Sequence, residues 1–138
     1  MKLSASGRIW LSRLLIGYVV IVNVQSAIAF ILQPDVYAPG FELSGAAGAG
    51  MIRGMGILFL MWNVPYGVAL SDPVKRRVSL FEATSMQAIG FFGETFLVLA
   101  FPTGHPAIVA AVGRFILFDG IGLAALVIAA VISGIKQK

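Results

Sequence analysis

Four long apolar runs, parted by short breaks rich in proline, glycine or charge, occupy most of this chain and fix what it can become. A helix needs about 20 predominantly apolar residues to cross the hydrocarbon of a bilayer. The spans read as Leu14 to Leu32, about Ala49 to Leu70, Val78 to Phe101, and Ala107 to about Ile132, joined by an outer connection over 33–48. The expected fold is therefore all-α: an integral membrane four-helix bundle, up-down-up-down, in a single membrane domain over 1–138. Composition agrees, since 59% of the 138 residues are hydrophobic, 12% are charged and the mean hydropathy is +0.94, too apolar for a soluble domain of this size to hide inside. With no cysteine, disulfides, thiolate nucleophiles and Cys-ligated metal sites are excluded.

Orientation follows from the basic residues. Eight of the ten Lys and Arg lie on one side: Lys2, Arg8 and Arg13 in the leading segment, Lys75, Arg76 and Arg77 in the second connection, and Lys136 and Lys138 in the tail. The positive-inside rule assigns that side, and both termini, to the cytoplasm of a cell membrane. Nucleic acid is not an expected partner, because no stacking aromatics intervene among these charges. Asp72-Pro73 marks the inner reversal and Pro102-Thr103-Gly104-His105-Pro106 the outer one. The first span could be a cleaved signal peptide, with small residues at Ser26-Ala27-Ile28-Ala29. Its length of 19 residues and the interrupting Asn23 and Gln25 favour a retained helix.

The connection over 33–48 carries Val36, Tyr37, Phe41 and Leu43, and is read as an interfacial anchor, with a lid over the bundle as the alternative. At the start of the second span, Gly50 and Gly54 have the small-xxx-small spacing that lets helix backbones approach, read here as packing within the chain. The preceding run of glycine and alanine lacks the Lys-Ser/Thr of a phosphate-binding loop.

Ionisable residues inside the spans concentrate the chemistry, because a charge in hydrocarbon costs roughly 2.5–3.5 kcal/mol even on lenient scales. Glu94 and Arg114 each lie seven residues from the outer turn, about 10 Å deep at ~1.5 Å per residue. They are expected to face each other, either as an ion pair locking two helices or as a ligand or ion site. Arg53, roughly 6 Å deep, either snorkels to the surface or joins Glu94. With both arginines turned inward, the excess positive charge would suit an anionic headgroup, a carboxylate or a quinone oxygen. Gln87, Gly90 and Glu94 share one helical face, a polar stripe with a gap at the glycine. Asp119, roughly 18 Å deep and about 140° around its helix from Arg114, is a candidate proton relay. Its alternative role is a protonated interhelical tie to Asn23 or Asn63. Glu82 is expected to pair with Lys75 or Arg76. His105, the only histidine, reads as a solvated turn residue without the further ligands a metal site needs. No catalytic residues and no metal site are indicated.

Pro39-Gly40-Phe41-Glu42-Leu43, followed by Ile52-Arg53-Gly54-Met55-Gly56 at the head of the second helix, resembles the small DoxX-like four-helix membrane proteins. The resemblance covers most of the chain as architecture and 39–56 as residues. It implies a class without an assigned activity, some members of which associate with quinone or respiratory-chain partners. The small multidrug transporters differ where it matters: they carry a membrane-embedded Glu in the first helix, and this chain has Asn23 and Gln25 there. The readings in order are an accessory or small-ligand-binding subunit, working in a larger membrane complex or as a homodimer; a small dimeric proton-coupled transporter; and a quinone-linked membrane oxidoreductase. A lipid or a quinone would be the bound molecule.

Overall fold

The computed structural model describes residues 4–134, so Lys2, Lys136 and Lys138 lie outside the described residues. Among the described residues there are five α-helices: α1 (Ala5–Leu32), α2 (Pro34–Tyr37), α3 (Gly45–Ser71), α4 (Arg77–Ala100) and α5 (Pro106–Gly134), with a 3-10 turn over Ala38–Phe41 after α2. All but α2 are long and apolar enough to cross a membrane, which makes the chain a multi-pass membrane protein. Large apolar side chains on their outer faces, such as Phe81, Phe96 and Leu99, are exposed, as a lipid-facing surface requires.

α1 begins well before Leu14. Ser4 caps it by accepting a hydrogen bond from Gly7 N at 3.1 Å, so the basic lead with Arg8 and Arg13 is the first turns of the helix. Arg13 donates to the carbonyl of Ser71 and lies 5.5 Å from the ring centre of Trp10, tying the start of α1 to the end of α3. At the other end of the same pair, a Cβ on Gly56 would lie 2.7 Å from Ala27 O, so glycine is what allows the two backbones to touch. The small-xxx-small pair read from the sequence is not this contact. Gly50 and Gly54 have nothing within 4 Å of a built Cβ, which corrects the expectation of packing within the chain.

The long helices form a square ring: α1 packs on α3, α3 on α4, α4 on α5 and α5 back on α1, while across the diagonal α3 and α5 meet through side chains, with the rings of Phe59 and Phe115 6.0 Å apart. Neighbours run in opposite directions. Ser12, near the start of α1, donates to Ala129 O near the end of α5 at 3.2 Å, and Arg77 at the head of α4 lies against Gly134 at the foot of α5.

Two apolar clusters fill the ring. One gathers Ile16, Val19, Tyr66, Leu80 and Leu126. The other, around Phe30, Ala38 and Ile52, includes the segment after α1, because Tyr37 and Phe41 close on Phe30 with ring centres 4.8 and 6.2 Å away. The connection over 33–48 is thus a cap folded onto the bundle, not an interfacial anchor. Burying Pro34, Ala38 and these rings outweighs leaving them at a bilayer surface. His105 lies in the turn with its side chain partly exposed, as expected, and its Nδ1 is also 2.7 Å from Glu42 Oε2, which links the cap to the turn between α4 and α5.

Candidate functional site

Between the two clusters lies a cavity of about 460 Å³, within the size range of small-molecule sites. Aromatic walls come from both sides, Phe59 and Phe115 from the outer cluster, Tyr66 and Phe118 from the inner one. Its polar groups come from all four long helices: Asn23 and Ser26 on α1, Tyr66 on α3, Gln87 and Glu94 on α4, and Asp119 on α5.

A hydrogen-bonded chain crosses three of those helices. Tyr66 Oη donates to Gln87 Oε1 at 2.8 Å, and Gln87 Nε2 donates to Asp119 Oδ1, also at 2.8 Å. Gln87 and Tyr66 are each only 3% exposed, so these bonds replace water that the site excludes. Two glycines make the chain possible. A Cβ on Gly90 would collide with the Asp119 carboxylate, and a Cβ on Gly122 would lie 2.6 Å from Gln87 Nε2. Each helix of the α4–α5 pair thus gives up a side chain where the other sends a polar group. The gap read at Gly90 admits the neighbouring helix, through the carboxyl of Asp119 on α5.

Of the residues singled out in the sequence, Gln87, Glu94, Asp119 and Asn23 line the cavity. The arginines differ. The ion pairs among the described residues are Lys75–Asp72 at 3.7 Å and His105–Glu42 at 2.7 Å, so Glu94 and Arg114 do not pair. Arg114 is exposed, with its guanidinium beside Gly40 of the cap, and Arg53 is exposed on α3. A long side chain reaches the outer face from that depth, whereas Glu94 is too short to follow. Glu94 Oε2 is buried without a hydrogen-bond partner. Asp119 is tied to Gln87, not to Asn23 or Asn63, and Asn63 turns its amide back to Phe59 O at 2.7 Å on its own helix. Glu82 is exposed on α4 and forms no ion pair with Lys75 or Arg76.

Tyr66 is the residue that sequence reasoning missed. Its signal was present, since a phenol inside an apolar span needs a polar partner. The resulting site is an aromatic chamber holding two carboxyl groups and no Lys, Arg or His. Among the described residues, no group of three His, Cys, Asp or Glu side chains could hold a metal ion. No protein-family model matches the chain, and neither a curated protein nor a solved structure matches it.

Proposed function

We propose that this chain is a four-helix protein of a prokaryotic cytoplasmic membrane, with both termini cytoplasmic, that binds a small ligand inside its bundle. It would act beside a larger membrane partner, in keeping with the partners of some DoxX-like proteins that it resembles, or as a homodimer. The observation that carries this reading is the cavity itself: polar groups from four helices converge on a space of about 460 Å³ that packing has not closed. Two tightly packed apolar clusters flank it, so the fold is able to fill its interior elsewhere.

A second reading, a small dimeric proton-coupled transporter, draws support from Glu94 and Asp119, which share the cavity without a cation. A quinone-linked oxidoreductase is less well supported. The Tyr66 hydroxyl and one Gln87 N–H that would meet a quinone oxygen are already donated, to Gln87 Oε1 and to Asp119 Oδ1.

The test is extraction from native membranes in mild detergent, with mass spectrometry of co-purifying small molecules, beside a Gly93→Phe variant. Gly93 lines the cavity and has nothing within 4 Å of a built Cβ, so a larger side chain can start from it without meeting backbone. A molecule held by the wild type and lost from the variant supports ligand binding. Identical extracts, containing only bulk lipid, refute it. For the transporter reading, Asp119→Asn and Glu94→Gln should abolish proton-coupled flux in a protein that remains folded.

A further inference from the structure

The sign of the cavity is opposite to the one expected from sequence. With Arg53 and Arg114 on the outside, the carboxyl groups of Glu94 and Asp119 are the acids of its lining, and they stand among Phe59, Trp62, Phe115 and Phe118. Hydrogen bonding points the same way. Tyr66 Oη and one N–H of Gln87 are engaged as donors, while Glu94 Oε2 is buried with no donor to accept from. The site therefore lacks positive charge. Carboxylates with aromatic faces are the combination that stabilises a desolvated organic cation, through charge attraction and cation–π contact together. An anion would meet like charge in a weakly screening medium and would pay for its desolvation without return.

The rim shows how such a molecule would arrive. Trp62 on α3 is 49% exposed and Ile89 on α4 is 73% exposed, and both line the cavity, so its mouth lies on the α3–α4 seam and faces the lipid. That seam is the least closely packed of the four around the ring. Gly93 leaves the α4 side of the mouth without a side chain.

Resting on the ligand-binding reading above, we propose that the ligand is a lipophilic organic cation, taken from the bilayer through the α3–α4 seam and held by Glu94 and Asp119 within the aromatic walls. Molecules of one shape and three charges separate this from ligand binding in general: methyltriphenylphosphonium, its neutral carbon isostere 1,1,1-triphenylethane, and the anion methyltriphenylborate. In a Trp10→Phe background Trp62 is the remaining tryptophan, and quenching of its fluorescence in lipid nanodiscs reports occupancy at the mouth.

The expected result is saturable quenching by the phosphonium at a concentration at least tenfold below that needed for the isostere, and no saturable quenching by the borate. Glu94→Gln should weaken phosphonium binding at least tenfold while leaving the melting temperature near wild type, because Glu94 Oε2 has no bond in the fold to lose. Asp119→Asn should also weaken it, and its melting temperature reports any accompanying loss of structure. Equal binding of the neutral isostere, or unchanged binding in Glu94→Gln, overturns the cation assignment and leaves the ligand-binding reading standing. Quenching that persists in Gly93→Phe is partition into lipid and overturns the assignment too. If none of the three probes binds, both readings lose their support.

Discussion

Replacing Gly90 by alanine tests the central arrangement of this bundle. The new methyl would occupy the position of the Asp119 carboxylate and lie 3.2 Å from its Cγ, so either the carboxyl or the α4–α5 contact must move. Moving the carboxyl breaks its bond from Gln87 Nε2 and disturbs the bond from Tyr66 behind it. Stranding a buried polar group costs about 1–3 kcal/mol in proteins generally, and interhelical polar contacts in membranes run from about 0.6 to 1.7 kcal/mol. A loss of about 1–2 kcal/mol is expected. Alanine also gains up to about 1 kcal/mol over glycine in helix propensity, which would mask part of the loss in a comparison with wild type. The proper reference is Gly93→Ala on the same helix, where a Cβ meets nothing within 4 Å and the propensity gain is similar. Reversible unfolding in mixed micelles should place Gly90→Ala below Gly93→Ala by about 1–2 kcal/mol, a factor of about 5–30 in the folding equilibrium. Adding Asp119→Ala to Gly90→Ala removes the clash and should return part of the difference. Equal stability of the two single variants would refute the placement of Asp119 in the Gly90 gap.

Other perturbations separate the remaining contacts. Gly56→Ala drives a methyl into Ala27 O and should destabilise by about 1–3 kcal/mol through overpacking, whereas Gly54→Ala meets nothing and should show only the helix-propensity gain of up to about 1 kcal/mol. If Gly54→Leu abolishes a dimer seen by crosslinking in membranes, the small-residue pair works between copies. Phe30→Ala removes a 5%-exposed ring in contact with Tyr37, Phe41, Phe59 and Phe115, and should cost about 3–5 kcal/mol. His105→Ala should cost less than about 1 kcal/mol, since its pair with Glu42 is partly exposed; the reverse order would mean that the ion pair, not the aromatic cluster, holds the cap. At the inner turn, the backbone N–H of Lys75, aided by that of Val74, bonds the Asp72 carboxylate and holds its pKa below the ordinary carboxylate range. The depressed value means that the contribution is present at neutral pH and is lost as pH falls through it. Amide exchange at Val74 and Lys75 should accelerate in acid, and Asp72→Asn, which retains an acceptor without the titration, should flatten that dependence. An acid response identical in the two proteins would refute this account of the turn.

How much of this was legible beforehand varies with the kind of constraint. Helix existence was, because hydrocarbon demands long apolar runs and Pro102, Gly104 and Pro106 stop them; Gly104 adopts φ 99°, a conformation that favours glycine. The start of α1 was hidden by its charges, since Arg8 and Arg13 look like a flank until Ser4 is seen as a cap. The cap over 34–43 was hidden because four-residue elements carry no periodicity, and what fixes them is Phe30 from another helix. The α4 stripe of Gln87, Gly90 and Glu94 was legible, being pure helical geometry. What filled its gap was not, since that depends on the neighbouring helix.

The failed pairing of Glu94 with Arg114 carries a sharper lesson about rotation. Equal depth constrains two groups along the membrane normal but leaves each helix free to turn about its own axis. On α5 that freedom amounts to a choice, because Arg114 and Asp119 are five residues apart, about 140° around the helix, and only one of them faces the centre. Side-chain length decides it. A guanidinium on a long apolar stem reaches the outer cap from that depth, at little cost, whereas a carboxyl on one methylene must find its partners inside. Asp119 therefore takes the interior, Gly90 makes room for it, and Gln87 supplies the hydrogen bond. The same turn of α5 carries Arg114 away and leaves Glu94 without its expected cation. A fold selected only for rigidity would have no use for that second carboxyl beside an unfilled space, since an apolar side chain there would pack the bundle and remove the cost. Its presence, with Oε2 buried and unpaired beside the cavity, is what favours the proposed ligand site over a purely structural role.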